Sequence, residues 1–222
     1  MALTVYGSNL SPFVRKVRIV LIEKGVDYTL DPINPFRQPP EFAAISPLKR
    51  IPVLRDSDQP EPNTLPDSSV IADYLENKFP RPRLYPGDPF LRARALWIEE
   101  YADDGLFRVM GRGLFFERVV KKFQRGVTDT ALCAKTVSED LPPLFEYLES
   151  EIRGRNYFAG EEFSIADIAV ASVMVNYRHS GEELDAARWP ALAAHVLKLW
   201  ARPSFQAMLT EEQKLIDIAR SR

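Results

Sequence analysis

Leu3-Thr4-Val5-Tyr6-Gly7-Ser8-Asn9-Leu10-Ser11-Pro12-Phe13-Val14 is the stretch that decides how this chain is read. Leu3 to Tyr6 has the short, apolar, β-branched character of a strand, and Gly7 to Leu10 supplies the turn that leaves it. Pro12 fits the first helical position, where its missing N–H costs nothing, and Ser11 fits the N-cap ahead of it. The helix is predicted through Val14, Val17, Arg18, Ile19, Val20, Leu21 and Ile22. It should close at Lys24-Gly25, with a basic last turn and a C-terminal glycine. A Ser-Pro start is first of all a cap. It also sets a hydroxyl at the positive end of a helix, where an anion docks, and this makes Ser11 a candidate activating group.

Beyond that helix, Asp27 to Asp31 reads as a second strand parallel to the first, completing a βαβ unit. A proline-rich irregular stretch follows from Pro32 to Pro40, then a single helical turn at Glu41 to Ile45. Ile51-Pro52-Val53-Leu54-Arg55 is a strand entered through a proline. Asp56 to Asn63 is a hairpin loop leading to a short strand at Thr64-Leu65. Ser68 to Phe79 is an amphipathic helix with Val70, Ile71, Tyr74, Leu75 and Phe79 on one face. The prolines between Pro80 and Pro89 forbid regular structure, so this segment is predicted to link an α/β domain (residues 1–79) to a helical one (residues 90–222).

In the second domain, Phe90 to Val120 should be helical with a break or bend near Gly111-Arg112-Gly113. Thr128 to Ile152 should be a helix bent by Pro142-Pro143. Ile165 to Arg178 is almost wholly apolar and should be the buried central helix, followed by helices at Trp189 to Ala201 and Phe205 to Ala219.

Composition narrows the function. A formal net charge of -2 over 222 residues gives no electrostatic reason to expect nucleic acid. Charged residues interrupt every apolar run, so no membrane span is expected. The chain enters its first strand with no basic-then-apolar leader, and its one cysteine, Cys133, suits a reducing compartment. A cytoplasmic location is the expectation. Cys133 has no visible activating neighbour and reads as a small buried apolar residue. His179 and His195 are too far apart in sequence for a helical metal pair, so no metal is expected.

The order βαβ, ββα and then an all-helical domain resembles the cytosolic glutathione transferases, over essentially the whole chain. The resemblance implies a thioredoxin-like N-terminal domain and an all-α C-terminal bundle. It rests on four landmarks. Ser11-Pro12-Phe13-Val14-Arg15-Lys16-Val17-Arg18 is similar to the active-site stretch of the serine-type and cysteine-type classes (tau, zeta and omega-like). It implies that the Ser11 hydroxyl donates to the glutathione sulfur and, with the helix N-terminus, favours the thiolate. Phe13 would lie beside this site. Ser46-Pro47-Leu48-Lys49-Arg50-Ile51-Pro52-Val53-Leu54 is similar to the family's loop into strand three. By resemblance Pro52 is cis and the Ile51 backbone pairs with the cysteinyl part of glutathione. Arg50, or else Lys49, would lie near its glycine carboxylate.

The third landmark, Pro66-Asp67-Ser68-Ser69-Val70-Ile71, carries Asp67 where the family usually has Glu. The resemblance implies that Ser68 holds the γ-glutamyl carboxylate and Asp67 faces the ammonium. Taken alone, Asp-Ser-Ser is also an ordinary helix start. The fourth, Phe163-Ser164-Ile165-Ala166-Asp167, is a capping-box variant that matches the family's folding signature and is assigned to stability.

Glutathione as co-substrate, a small electrophile as second substrate, a detoxification role and a homodimer are the implied expectations. The electrophile would sit between the domains, with Leu10, Phe13, Phe36, Arg112 and Phe115 as its walls. Tyr6 is the rival hydroxyl, since other classes keep a tyrosine near there, but the run into Ser-Asn-Leu-Ser-Pro fits the serine pattern. Serine in place of cysteine favours addition to an electrophile, or isomerisation as in maleylacetoacetate isomerase, over thiol exchange. A competing expectation is a regulatory or binding protein on the same scaffold, like the stringent-starvation proteins.

Overall fold

The computed structural model describes residues 2–220, which divide into two compact units, the first ending at Leu84 and the second beginning at Tyr85. In the first unit, β1 (Leu3–Gly7) is followed by α1 (Pro12–Glu23), β2 (Thr29–Pro32), α2 (Phe42–Ile45), β3 (Val53–Asp56), β4 (Thr64–Pro66) and α3 (Ser68–Lys78). The sheet order is β2-β1-β3-β4, with β1 and β2 parallel and the other pairs antiparallel. This mixed four-stranded sheet is the thioredoxin-like arrangement expected.

Alternation along β1 buries Leu3, Val5 and Gly7 and leaves Thr4 and Tyr6 half-buried on the other face. Gly7 is required by close approach: a Cβ there would lie 2.4 Å from Cγ2 of Val14. Helix α1 closes at Lys24-Gly25 as its sequence predicts, but its last turn holds no basic residue. Lys24 is the C-cap and Gly25 takes φ +65°. The N–H of Gly25 donates to Ile22 O and that of Val26 to Leu21 O, the paired bonds of a Schellman motif. β3 begins at Val53 and not at Ile51, because Pro52 brings no N–H to a ladder. The Ile51–Pro52 peptide is cis, as the resemblance implies.

Polar anchors fix α3 to its neighbours. Lys16 Nζ of α1 donates to Ser69 Oγ at 3.1 Å. Lys24 Nζ donates to Glu76 Oε2 at 2.7 Å and to the carbonyls of Phe79 at 2.7 Å and Pro82 at 3.0 Å. Asp56, buried at the end of β3, accepts from Tyr74 and Lys78. Burial pushes the Asp56 carboxyl up, but the hydrogen bonds from Lys78 and Tyr74 outweigh it and hold the group below its ordinary value.

In the second unit, α4 (Pro89–Glu100) runs without interruption into a wider π-helical stretch (Tyr101–Leu106), α5 (Phe107–Met110), a second π-helical stretch (Gly111–Val120) and α6 (Lys121–Phe123). Where a break or bend is expected, near Gly111-Arg112-Gly113, the chain stays helical, with Gly111 at φ -61° and ψ -45°, and its winding widens from α to π. These glycines serve close packing. A Cβ on Gly111 would meet the Phe107 ring at 2.9 Å, and one on Gly113 would meet Thr136 Oγ1 at 2.1 Å. Next come α7 (Thr130–Lys135), a π-helical turn (Thr136–Asp140) and α8 (Pro142–Ile152). The expected bend falls at Leu141, just ahead of the two prolines.

α9 (Ile165–His179) is buried along nearly its whole length, and α10 (Pro190–Trp200) and α11 (Pro203–Arg220) complete the unit. Asp167 is fully buried and collects four donors: Phe158 N at 3.1 Å, Ser164 N at 2.9 Å, Ser164 Oγ at 3.0 Å and His195 Nε2 at 2.8 Å. Its role is to hold the start of the central helix, as its sequence context predicts. Cys133 is buried.

Candidate functional site

The register of the sheet determines which predicted residues meet. Tyr6 of β1 pairs with Val53 of β3, and Val53 pairs with Pro66 of β4. The turn leaving β1, the residues entering β3 and the residues leaving β4 therefore emerge at one end of the sheet. These are Ser8 to Ser11, Ile51-Pro52 and Asp67-Ser68. The proline-rich segment that follows β2 departs from the same end, with Ile33 N donating to Gly7 O at 3.0 Å. Helices α1 and α3 both begin there, so two positive helix ends serve one region.

Ser11 is the N-cap of α1, at φ -77° and ψ 125°. Its Oγ accepts from Val14 N at 3.4 Å, a long bond, and its hydroxyl proton has no acceptor among the described residues. The turn before it is closed by Ser11 N donating to Ser8 O at 3.0 Å. Leu10 and Phe13 on either side are half-buried. Tyr6 points to the opposite face of the sheet from Gly7, and the Arg55 guanidinium lies 5.7 Å from its ring centre.

Ile51 offers backbone N–H and C=O groups that no other described residue engages. The loop ahead of it is closed by Ser46, which donates from Oγ to Arg50 O at 2.8 Å and accepts from Arg50 N at 3.0 Å. Gln38 Nε2 adds a bond to Lys49 O at 2.9 Å. Lys49 and Arg50 both carry exposed side chains, and Lys49 takes φ 53°.

Asp67 takes φ 83° and ψ 132°, a conformation that strains a residue bearing a Cβ. Its N–H donates to Pro52 O at 3.3 Å. Through Oδ1 it caps α3, accepting from Ser69 N at 2.9 Å and Val70 N at 3.3 Å, while Oδ2 has no partner among the described residues. Ser68 is 4% exposed, and its hydroxyl likewise makes no hydrogen bond within the described chain. This end of the sheet thus carries two uncommitted hydroxyls, an uncommitted carboxylate oxygen and a free length of backbone. The set suits a ligand that brings a carboxylate, an ammonium, a peptide unit and a soft anion.

The remaining expected residues belong to both units. Phe36 is 55% exposed in the proline-rich segment. Arg112 and Phe115 belong to the second unit, where Arg112 is exposed and Phe115 is buried. Residues that the sequence did not single out include Ser46, Lys16 and the Asn9–Arg18 pair. Arg15, Lys16 and Arg18 are only 1%, 1% and 5% exposed, although charges on a helix ordinarily face solvent. Among the described residues no cluster suits a metal ion, and no helix is long and apolar enough to cross a membrane.

Comparison with known proteins identifies the family. Residues 5–83 match the family model of the glutathione S-transferase N-terminal domain, and residues 116–212 match that of the C-terminal domain. Glutathione S-transferase 3 of Zea mays is 30% identical over 211 residues, covering 92% of this chain and 91% of that protein. A stringent starvation protein A homolog of Haemophilus ducreyi is 28% identical over 203 residues, covering 91% of this chain and 87% of that one. The crystal structure of a glutathione S-transferase from Methylobacillus flagellatus with glutathione bound superposes with a TM-score of 0.72. Its identity is 28%, over 93% of this chain and 98% of that one. Sequence and fold together make this chain a member of the glutathione S-transferase family.

Proposed function

We propose that this chain is a serine-type glutathione transferase that binds glutathione at the shared end of its sheet. Ser11 stabilises the thiolate for attack on a small apolar electrophile. The observation that carries this reading is the uncommitted hydroxyl proton of Ser11 at the N-terminus of α1. Glutathione fits the other uncommitted groups. Its γ-glutamyl carboxylate suits Ser68 and the start of α3, its ammonium suits Asp67 Oδ2, and its cysteinyl backbone suits Ile51 in the manner of an added strand. Arg50 is the cation for its glycine carboxylate, with Lys49 beside it.

The thiol proton leaves to solvent. The Ser11 hydroxyl donates to the sulfur left behind, and a sulfur lone pair then forms the bond to the electrophilic carbon of an activated double bond, whose π pair moves to the neighbouring atom and takes a proton from solvent. A hydrogen bond to a charged partner contributes about 1.5–3 kcal/mol. At about 1.4 kcal/mol per pH unit, Ser11 lowers the thiol pKa by about one to two units. Leu10, Phe13 and Phe36 offer apolar contacts to the second substrate from the first unit.

A homodimer in the cytoplasm is the expected form. α3 exposes Val70, and α4 exposes Phe90, Leu91, Leu96 and Trp97. Calorimetric titration with glutathione tests the binding half of the proposal. Asp67→Ala and Ser68→Ala should each weaken binding about tenfold or more. A wild-type chain giving no saturable heat would contradict it.

One observation favours a second reading. The similarity to a stringent starvation protein A homolog extends over 91% of this chain. In that reading the scaffold binds another protein and performs no chemistry on glutathione.

A further inference from the structure

We propose that Arg18 is the positioning residue of the Ser11 site, acting through Asn9. The inference rests on the serine-type reading above. Arg18 lies about two turns along α1 from Ser11, on the same face of the helix. Its guanidinium is buried at 5% exposure and reaches back along the helix, with Nη1 donating to Asn9 Oδ1 at 3.0 Å. Nε of the same group donates to Tyr28 Oη at 2.7 Å, and its carbon lies 5.6 Å from the Tyr28 ring centre. Arg18 thus joins the turn before α1 to the residue entering β2.

Asn9 occupies the first central position of the turn that Ser11 N closes onto Ser8 O at 3.0 Å. The direction of the Ser11 hydroxyl depends on that turn: the Ser11 carbonyl is held to the helix by Arg15 N at 3.0 Å, but the backbone angles of Ser11 are extended and its hydroxyl oxygen is held, among the described residues, by the long bond from Val14 N at 3.4 Å. The helix fixes where Ser11 begins. The Asn9–Arg18 bond fixes the other side of the turn, and with it Leu10. A planar, permanently charged fork that reaches two partners at once does this in a way that a lysine cannot reproduce. Arg18 touches no reacting atom in this scheme; its effect is on the aim of Ser11.

Asn9→Ala is the primary variant, since it removes the contact from a half-buried turn and leaves the buried arginine in place. Arg18→Lys and Arg18→Met complete the set. Two measurements are made on each folded variant and on wild type. The first is the ultraviolet thiolate absorbance of bound glutathione as a function of pH, with the glutathione Kd alongside. The second is amide exchange at Ser11 and Val14. Asn9→Ala should raise the pH midpoint of the bound thiol and lower kcat/KM about tenfold to a hundredfold, the effect of a misplaced group. The Kd should change less than about threefold. Exchange at the Ser11 amide should quicken, and Arg18→Lys should behave like Arg18→Met.

A variant thiol midpoint equal to wild type would overturn the role of Arg18 and leave the serine-type reading standing. A wild type with no thiolate signal would overturn that reading and this role with it. Unchanged Ser11 exchange in Asn9→Ala would overturn the clamp in either case.

Discussion

Replacing Lys24 by methionine should destabilise the first unit severely, and the structure supplies the magnitude. The ammonium is fully buried and its partner carboxylate on Glu76 is 9% exposed. An ammonium has three donors, and here each finds an acceptor: Glu76 Oε2 at 2.7 Å, Phe79 O at 2.7 Å and Pro82 O at 3.0 Å. Methionine keeps the length and apolar stem but takes from the Glu76 carboxylate the buried ammonium at 2.7 Å, a charge that the neutral Leu84 N–H at 3.1 Å does not replace. It also strips two carbonyls of their donor. Breaking a buried pair from one side costs about 3–5 kcal/mol, against about 0–1 kcal/mol for a surface pair.

Lys24→Met/Glu76→Met removes the stranded charge and leaves mainly unpaired backbone groups. Its cost should fall to about 1–3 kcal/mol. The three tryptophans, Trp97, Trp189 and Trp200, all lie in the second unit, so their fluorescence is the wrong probe. Amide exchange along β1, β3 and α3 at increasing urea reads the first unit directly. A single variant losing less than about 1 kcal/mol, or a double variant no better than the single, would refute the reasoning.

Three further outcomes are expected. Asp167→Ala abandons four buried donors and should cost about 3–5 kcal/mol in urea unfolding of the second unit while leaving glutathione affinity unchanged. Gly7→Ala drives a Cβ to 2.4 Å from Val14 and should cost about 1–3 kcal/mol, partly recovered when Val14→Ala is added. The Asp56 carboxyl has a lowered folded-state pKa, so its stabilisation is present above the ordinary aspartate range and is lost as pH falls through the lower folded value. The stability difference between wild type and Asp56→Asn should therefore be largest near neutrality and shrink in acid; a difference that grows on acidification would contradict it.

What the sequence disclosed depended on how local the cause was. The Ser11 cap, Pro12, the Gly25 stop and the Ser164–Asp167 start are all set by residues a few positions apart, and each stands where its sequence context placed it. Gly111 and Gly113 were legible only in part: the winding changes at Gly111 without a break, and a glycine that breaks a helix and one that lets a ring or a threonine approach look alike in sequence. Only the positions of Phe107 and Thr136 separate the two cases.

The buried charges of α1 were invisible for a related reason. Arg18 needs Asn9 and Tyr28, Lys16 needs Ser69, and Lys24 needs Glu76, pairings that exist only once the sheet and α3 are formed. Ser46 went unremarked because its partners are backbone atoms of Arg50, and backbone leaves no signature in sequence. The convergence of Ser11, Ile51 and Asp67 at one sheet end came from strand register, which residue patterns alone specify weakly in strands this short.

The central claim is that Ser11 stabilises a glutathione thiolate. It is tested most directly by titrating glutathione into wild type and Ser11→Ala and following the ultraviolet thiolate band as pH is varied. Wild type should show a saturable band whose midpoint lies below the ordinary thiol value of about 8.5, and Ser11→Ala should move that midpoint up by about one to two units with glutathione still bound. A band that is absent from wild type, or unchanged in Ser11→Ala, would contradict it.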